Sequence, residues 1–298
     1  MLRLSDPGGT DRLEDAMNAD LDAYREQSLR TWDEMASGWE ERNEWMIGFT
    51  GQVNEWIVER AAPQPGQTVL DVAAGPGDLG FRAAELVGSE GRVLSTDFAP
   101  EMVEAARRIA ASRGLGNVDF RVLDAERMDL DDDSVDAAVC RWGYMLMADP
   151  AAALRETRRV LRDGGTLALA VWASPDRNPW AAMPAMTMVQ RGHMQPPEPG
   201  MPGIFALADP AQIRSLVAGA GFAEPEVEEI AFDFRYEDFD EFWDVLIRLA
   251  GPIARALRDL NEDERQASRA AIEESIAPFR AEDGSYSMPA LCLGAVTR

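Results

Sequence analysis

The sequence predicts an α/β fold built on a doubly wound, mostly parallel sheet of seven strands. Between residues 65 and 172, short apolar runs alternate with segments of helical periodicity. This alternation is typical of βαβ units, in which helices cover both faces of a parallel sheet. A glycine-rich loop follows the first apolar run, and an acidic residue lies at the end of each of the first three. Ligands bind at the carboxyl ends of the strands in such sheets, so we expect the functional site at that edge.

The elements of the core follow from apolar runs and from the residues that bound them. The helix PEMVEAARRIAASRG has Pro100 in its first turn and Gly114 at its end, where each is favoured. The helix PAAALRETRRVLR is expected to stop at Gly164. A strand is predicted at 225–236, and the tail SMPALCLGAV is predicted to pair with it in antiparallel orientation. The five strands before these are QTVLDVAA, RVLSTDF, NVDFRVLD, SVDAAVCRW and TLALAVWA.

Helical additions are expected on both sides of this core. Residues 1–62 predict an N-terminal helical cap, because apolar residues recur at helical spacing and no proline follows Pro7 until Pro63. The core would span 63–236, with an irregular lid at 174–205, where Pro, Gly and Met are frequent. A helical cap insertion is predicted at 237–284, and 285–298 would supply the final strand of the core.

Composition excludes several classes of function. The chain has 53 acidic and 29 basic residues, a formal charge of −24, and every basic residue is an arginine. Binding to nucleic acid requires a basic face, so a nucleic-acid partner is not expected. Without lysine, mechanisms based on a Schiff base or a Tyr/Lys reductase pair are excluded.

The same composition predicts a protein of the cytoplasm. The two cysteines are too few for a disulfide framework or a structural zinc site, and no metal is expected. Acidic residues lie where a signal peptide needs an apolar stretch, and no run reaches the ~18 apolar residues of a membrane span. We expect a monomer or homodimer that acts on a small molecule.

The glycine-rich loop reads GxGxxG at Gly75, Gly77 and Gly80, between a strand and a helix. Small residues there let a ligand approach the backbone closely, although a tight strand-to-helix turn alone would give the same pattern. Asp97 follows Gly77 by 20 residues, where a carboxylate can accept hydrogen bonds from both hydroxyls of a ribose.

The acids at the strand ends limit the class of ligand that can bind there. Asp71, Asp97 and Asp124 would face one rim of the sheet, where their charges would repel a pyrophosphate. A nucleoside that carries a positive charge would be favoured instead.

These motifs together resemble those of class I S-adenosylmethionine-dependent methyltransferases. The resemblance lies in VLDVAAGPGDLG, in Asp97 within VLSTDFAPEMV, in Asp124-Ala125 and in LRDGGTLALAVW. WDEMASGWEE at 32–41 resembles the N-terminal aromatic element of the ubiquinone/menaquinone-biosynthesis type, with Trp39 where a tyrosine is common. RWGYMLMADP and NPW at 178–180 resemble a bacterial branch, and the likeness extends over residues 30–235.

The resemblance implies a Rossmann-like methyltransferase fold and S-adenosylmethionine as cofactor, with S-adenosylhomocysteine as product. Asp71, Gly75 and Gly77 would surround the methionine part, and Asp97 would hold the ribose. The adenine would pack on Phe98 and Met102 and bond to Asp124 and the backbone of Ala125. Arg141 and Trp142 would close the pocket beside the sulfonium. Trp39, Ala73 and Glu126 complete the expected cofactor-binding set.

The expected reaction is in-line methyl transfer to an oxygen, carbon or nitrogen of a small acceptor, apolar or aromatic. Such transfer mainly requires alignment of the partners and exclusion of water, so the lack of a nucleophile motif is expected. Tyr144, Trp172 and Trp180 are the candidate substrate-binding residues. His193, the only histidine, is the candidate catalytic base, with Tyr144 or Glu40 as substitutes. A nicotinamide-dependent oxidoreductase and a non-catalytic cofactor-binding homologue remain the alternatives.

Overall fold

The computed structural model describes residues 8–198 and 200–298, and its centre is one β-sheet. Within these residues the sheet has seven strands in the order β3-β2-β1-β4-β5-β7-β6. It is flanked by helices, which confirms the predicted α/β class. The strands are β1 Thr68–Val72, β2 Arg92–Asp97, β3 Val118–Val122, β4 Val135–Arg141, β5 Leu161–Trp172, β6 Glu226–Tyr236 and β7 Tyr286–Thr297.

Strand β1 lies at the centre of the parallel part of the sheet. It pairs with β2 on one side and with β4 on the other, and both pairs are parallel. After β1 the chain continues to β2 on one side of the sheet, and after β4 it continues to β5 on the other side. A crevice opens at such a switch point, beyond the carboxyl ends of the two strands.

The last two strands, β6 and β7, form an antiparallel pair, as the sequence predicts. All of β6 pairs with β7, from Glu226 opposite Val296 to Tyr236 opposite Tyr286. The pairing of β5 with β7 ends at Trp172 opposite Cys292. Residues 286–290 of β7 therefore pair with β6 alone, and the pair of strands projects about 17 Å past the end of β5.

Five helices accompany the core strands: α3 Asp78–Val87, α4 Pro100–Arg113, α5 Pro150–Val160, α6 Pro179–Gln190 and α7 Pro210–Gly219. Helix α4 ends at Gly114, whose φ of 69° is the left-handed conformation that glycine adopts readily. Asp149 is the N-cap of helix α5, and its side chain accepts a hydrogen bond from the Ala152 amide. The helix ends at Val160, before the predicted stop.

Helix α6 corrects the prediction that 174–205 is irregular throughout. Pro179 stands in its first turn, where the missing amide hydrogen is not needed. Alanine and methionine follow at most positions, and both favour helix. Pro184 lies inside the helix and hides it in the sequence, because an internal proline normally argues against a helix.

The remaining helices are α1 Gly8–Glu41, α2 Asn43–Ala61, α8 Phe239–Leu249, α9 Gly251–Arg258 and α10 Glu262–Ile276. Helix α1 packs against α4, α8 and α9, and α10 packs against α6. A Cβ atom at Gly38 of α1 would lie 2.7 Å from the carbonyl oxygen of Arg248, so α1 and α8 cross at close range. Among the described helices, none combines the length and apolar character needed to cross a lipid bilayer.

Helix α2 packs across the sheet as far as β7. Val53, Ile57 and Val58 of α2 are buried in the main core. The indole of Trp56 lies over Gly294 of β7, where an added Cβ would lie 2.6 Å from the ring. Gly294 therefore leaves the space that Trp56 fills.

We expect Gly294→Ala to lower the free energy of unfolding by about 1–3 kcal/mol, because the methyl group would overlap the Trp56 ring. Gly48→Ala is the matched control, since nothing lies within 4 Å of its added Cβ and alanine favours helix. Urea denaturation of both variants measures the difference. An unchanged stability in Gly294→Ala would contradict the close contact.

Candidate functional site

The loop from Ala73 to Gly77 forms one wall of the crevice at the end of β1. Ala73, Gly75 and Gly77 have φ angles of 52°, 54° and 89°, a conformation that suits glycine best. A Cβ atom at Gly75 would meet nothing within 4 Å, so open space borders the loop backbone. Helix α3 starts directly after Gly77 and directs its free amide groups toward this end of the sheet.

Asp97 joins the end of β2 to this loop. Its Oδ2 accepts a hydrogen bond from the amide of Gly75 at 2.9 Å, and its Oδ1 accepts one from the amide of Ala99 at 2.9 Å. The side chain is 7% exposed. Burial raises the pKa of Asp97 to about 6, although the backbone amides favour the ionised form.

Asp71 is buried near the end of β1, directly beneath Gly80 of α3, whose backbone favours the ionised form of the carboxyl. Its two carboxylate oxygens are enclosed and have no partner in the described part of the chain. Gly80 of α3 packs so closely that an added Cβ would lie 2.6 Å from Oδ2. Burial and the nearby charge of Asp78 raise the pKa of Asp71 well above its usual range, while Arg141 opposes the shift. An orphaned carboxylate of this kind is typical of a position that receives a ligand.

A buried ion pair lies beside Asp71 and joins β4 to α3. Arg141, at the end of β4, binds Asp78 through two hydrogen bonds of 2.5 and 2.9 Å. Asn54 of α2 donates to Asp78 at 2.8 Å and accepts from Arg141 at 2.6 Å. Burial alone would raise the pKa of Asp78, but the guanidinium of Arg141 holds it below its ordinary value. Three elements therefore meet in one polar network under the crevice.

Phe98, Met102 and Trp39 form a small apolar cluster beside the end of β2. Met102 is buried, Phe98 and Trp39 are partly buried, and Ala36 and Ala99 complete the cluster. The indole nitrogen of Trp39 is enclosed and has no hydrogen-bond partner in the described residues. These three predicted cofactor residues therefore lie together, with one free donor among them.

The segment after β3 contacts helix α1. Asp124 is exposed, and its Oδ1 accepts a hydrogen bond from the amide of Glu126 at 2.9 Å, while Ala125 between them is buried. The carboxylate of Glu126 accepts from Arg25 of α1 at 2.6 Å and from the amide of Asp149 at 3.0 Å. Glu126 was predicted to bind the cofactor, but its carboxylate already holds α1 in place.

Aromatic side chains cluster where β4 and β5 end and where β6 and β7 extend past them. Trp172 stacks on Trp142 with ring centroids 4.3 Å apart, and Trp180 of α6 lies 4.8 Å from Trp172. Phe232 and Phe234 of β6 also contact Trp172. We call these five side chains the aromatic cluster.

Arg141 and Trp142, at the end of β4, have partners within the protein. Both were expected to border the sulfonium, and that role stays a prediction. Arg141 binds Asp78, and the indole N–H of Trp142 donates to the sulfur of Cys292 at 3.2 Å. Their neighbours on α2, α3 and β7 lie far away in sequence, so no local pattern could reveal these contacts.

The predicted role of Tyr144 is corrected, because it lies in the core and not in a substrate pocket. Its side chain is 1% exposed, and its hydroxyl hydrogen-bonds to the hydroxyl of Thr157 at 2.7 Å. Burial raises the pKa of Tyr144 well above its usual range. It is therefore available neither as a base nor as a direct substrate contact.

His193 lies at the end of α6 and is associated with α10. Its Nε2 is 3.3 Å from a carboxylate oxygen of Glu264, and Arg191 binds the same residue at 3.0 Å. Within the described residues, His193 forms no hydrogen bond to the residues at the strand ends. A catalytic role for His193 stays a prediction. Within residues 21–198 and 200–298, no group of three or more His, Cys, Asp or Glu is placed to hold a metal ion.

Comparisons with known proteins identify the family of this chain. Residues 63–194 match the family Methyltransf_31, described as a methyltransferase domain. Aklanonic acid methyltransferase from Streptomyces sp. (strain C5) is 32% identical over 146 residues, 49% of this chain and 65% of that protein. Demethylmenaquinone methyltransferase from Clavibacter sepedonicus is 30% identical over 220 residues, 70% of this chain and 88% of that protein.

Other matches cover less sequence or show the fold alone. The chain spans 59% and 49% of two ubiquinone/menaquinone biosynthesis C-methyltransferases, from Hahella chejuensis and Cellvibrio japonicus. A methyltransferase-like structure from Bacillus halodurans C-125 superposes with a TM-score of 0.57 at 20% identity, covering 82% of this chain and 97% of that one.

We expect Arg141→Met to lower the free energy of unfolding by about 3–5 kcal/mol, because Asp78 would remain buried without its partner. The double variant Arg141→Met, Asp78→Leu is the matched control and should be more stable than the single variant, since no charge is left unpaired. Thermal and urea unfolding measure both. A single variant as stable as the double variant would contradict this role of the pair.

Proposed function

We propose that this chain, which belongs to the class I S-adenosylmethionine-dependent methyltransferases of the ubiquinone/menaquinone-biosynthesis type, methylates a small aromatic or quinone-like acceptor. The observation that carries the proposal is the set of groups at the carboxyl ends of β1 and β2. It combines an open glycine loop, the buried carboxylate of Asp97 and the unpartnered carboxylate of Asp71. The family relationship favours methyl transfer over nicotinamide-dependent oxidoreduction, which shares only the glycine loop.

The residues around the crevice fit S-adenosylmethionine, the cofactor of this family. Asp97 would hold the ribose, because a buried carboxylate is a strong acceptor for hydroxyl groups. The Gly75 loop and Asp71 would surround the methionine part, and Phe98 and Met102 would cover the adenine. When bound, the cofactor supplies a methyl group that is activated by its attachment to a sulfonium.

The chain's own contribution is to align the acceptor and to exclude water. We propose that three segments, 1–62, 174–205 and 237–284, cover the acceptor side of the crevice. This is supported by α1, which contacts α4 and the loops after β3 and β4, and by α6, which brings Trp180 to the aromatic cluster. Aromatic and methionine side chains on these elements would suit a flat apolar acceptor. Among the known relatives, aklanonic acid and demethylmenaquinone appear in the names of the enzymes.

Where the acceptor must lose a proton, we propose His193 as the base, because the other two candidates are engaged elsewhere. Of the candidate bases, Tyr144 is buried against Thr157, and Glu40 binds Arg108 at 2.7 Å. His193 lies beside Glu264. Positioning and exclusion of water carry the rest of the rate enhancement.

The setting of the reaction is proposed from charge. A net charge of −24 supports a small-molecule acceptor and disfavours nucleic acid. We propose a cytoplasmic monomer or homodimer.

The first test is isothermal titration with S-adenosylhomocysteine, with NADH as a control ligand. We expect S-adenosylhomocysteine alone to bind, and Asp97→Ala to weaken it by about 10–100-fold because the ribose loses a charged acceptor. Asp119→Ala is the matched control, since Asp119 is an exposed acid on β3. Binding of NADH alone would overturn the proposed function in favour of the oxidoreductase.

We also expect the affinity for S-adenosylhomocysteine to fall as the pH drops below about 6. The pKa of Asp97 is about 6, and a protonated carboxyl must lose its proton before it accepts both ribose hydroxyls. Affinity should be level above that pH and fall by up to about tenfold per pH unit below it. Titrations between pH 5 and 8 measure this, and Asp97→Asn should remove the dependence. A level profile in the unaltered protein would contradict the role of Asp97.

A further inference from the structure

A cavity of about 600 Å³ lies where β6 and β7 extend past the rest of the sheet. Its walls include the aromatic side chains of Trp45 and Phe49 from α2, Tyr236 from the end of β6 and Tyr286 from the start of β7. The residues that line it do not belong to the loops after β1 and β2. The cavity is therefore separate from the groups assigned to the cofactor.

The aromatic walls are held in place by contacts with one another and with α8. The ring centroids of Trp45 and Phe49 are 4.7 Å apart, and those of Trp45 and Tyr236 are 5.6 Å apart. The indole N–H of Trp45 donates to Glu241 of α8 at 3.0 Å. Phe242 packs edge-on against Tyr236, with ring centroids 5.1 Å apart. The rings therefore give the cavity a preformed aromatic surface.

Two buried tyrosines bring unpartnered hydroxyl groups to the cavity. Tyr236 and Tyr286 are 3% and 2% exposed, and neither hydroxyl hydrogen-bonds to another described residue. Neither hydroxyl is enclosed, so both reach the open space that the cavity provides. A buried side chain whose polar end meets only open space is suited to a ligand that hydrogen-bonds to it.

The side chains around the cavity are mainly acidic. Glu241 is fixed, because its Oε1 accepts from Trp45 and its Oε2 accepts from the amide of Glu237 at 2.6 Å. The carboxylate of Glu237 is exposed and forms no ion pair within the described residues. Arg235 also lines the cavity, but successive residues of a strand alternate in direction, so its side chain leaves the opposite face of β6 from Tyr236.

The surroundings of Tyr286 add to this negative charge. Asp238 and Glu273 act electrostatically on its hydroxyl, and Arg280 alone opposes them. Together with the two glutamates at the end of β6 and on α8, these acids give the cavity a negative potential. A cation is therefore favoured over an anion as its ligand.

We propose that this cavity is a second ligand site, which binds a small organic ammonium ion. Aromatic rings attract such cations, and alkyl groups on the nitrogen pack against the same rings. Glu237 balances the charge, and the two tyrosine hydroxyls hydrogen-bond to polar substituents of the ligand. This inference goes beyond the proposed methyl transfer and does not rest on it.

The test compares choline with 3,3-dimethyl-1-butanol, which has the same shape and no charge. Isothermal titration with each probe is run on the protein alone and on the protein saturated with S-adenosylhomocysteine. We expect choline to bind at least about tenfold more tightly than the alcohol under both conditions. Trp45→Leu should weaken choline by about tenfold, because it removes the largest ring. Glu237→Gln should weaken it by about two- to fivefold, and it keeps the test decisive if Trp45→Leu does not fold.

Asp233→Asn is the matched control, because it removes an exposed acid from the opposite face of the same strand. It should leave the affinity for choline unchanged. Equal binding of the two probes, or no binding of choline at millimolar concentrations, would overturn the proposal.

Two further outcomes would also count against this site. Choline binding that survives unchanged in both Trp45→Leu and Glu237→Gln would exclude the cavity. Choline binding that disappears when S-adenosylhomocysteine is added would assign the cation to the cofactor site instead. Failure of S-adenosylhomocysteine itself to bind would contradict the proposed function, while the titrations on the protein alone would still test the cavity.

Discussion

The ion pair between Arg141 and Asp78 fixes the geometry on which the crevice depends. It connects the end of β4 to the first turn of α3, and Asn54 ties α2 to both. A buried pair adds little net stability, but removing either partner is costly, so its main effect is to specify one arrangement. The glycine loop lies between the elements that the pair connects, and its position relative to Asp97 follows from theirs.

Helix α1 carries much of the polar contact between the covering layer and the core. Arg25 reaches Glu126, Tyr24 reaches the carbonyl of Leu146 at 2.8 Å, and Glu40 reaches Arg108. These contacts are charged or polar and partly exposed, so each is worth little by itself and weakens with salt. The core below is apolar and buried. Apolar packing of Ala36 and Trp39 of α1 on Met102 adds to these contacts, so both kinds of interaction hold α1 to the core.

The sequence predicts the sheet well because the strands are buried runs bounded by glycine and proline. The antiparallel pairing of the last two strands follows from the same pattern. The contact between the glycine loop and Asp97 could be anticipated, since both follow strands that end at the same edge of the sheet. The contacts of Tyr144 and Trp142 could not be predicted, because the partners that draw them inward, Thr157 and Cys292, belong to other elements.

The packing of Trp56 on Gly294 has a consequence for the order in which the chain can assemble. During synthesis α2 leaves the ribosome long before β7, yet the surface that receives its indole does not exist until β7 has joined the sheet. The early strands and α3 can cover much of α2 as they emerge, but the indole of Trp56 stays uncovered until β7 is added. Nascent chains of this fold would therefore be most exposed to aggregation, and most dependent on chaperones, just before the last strand is added.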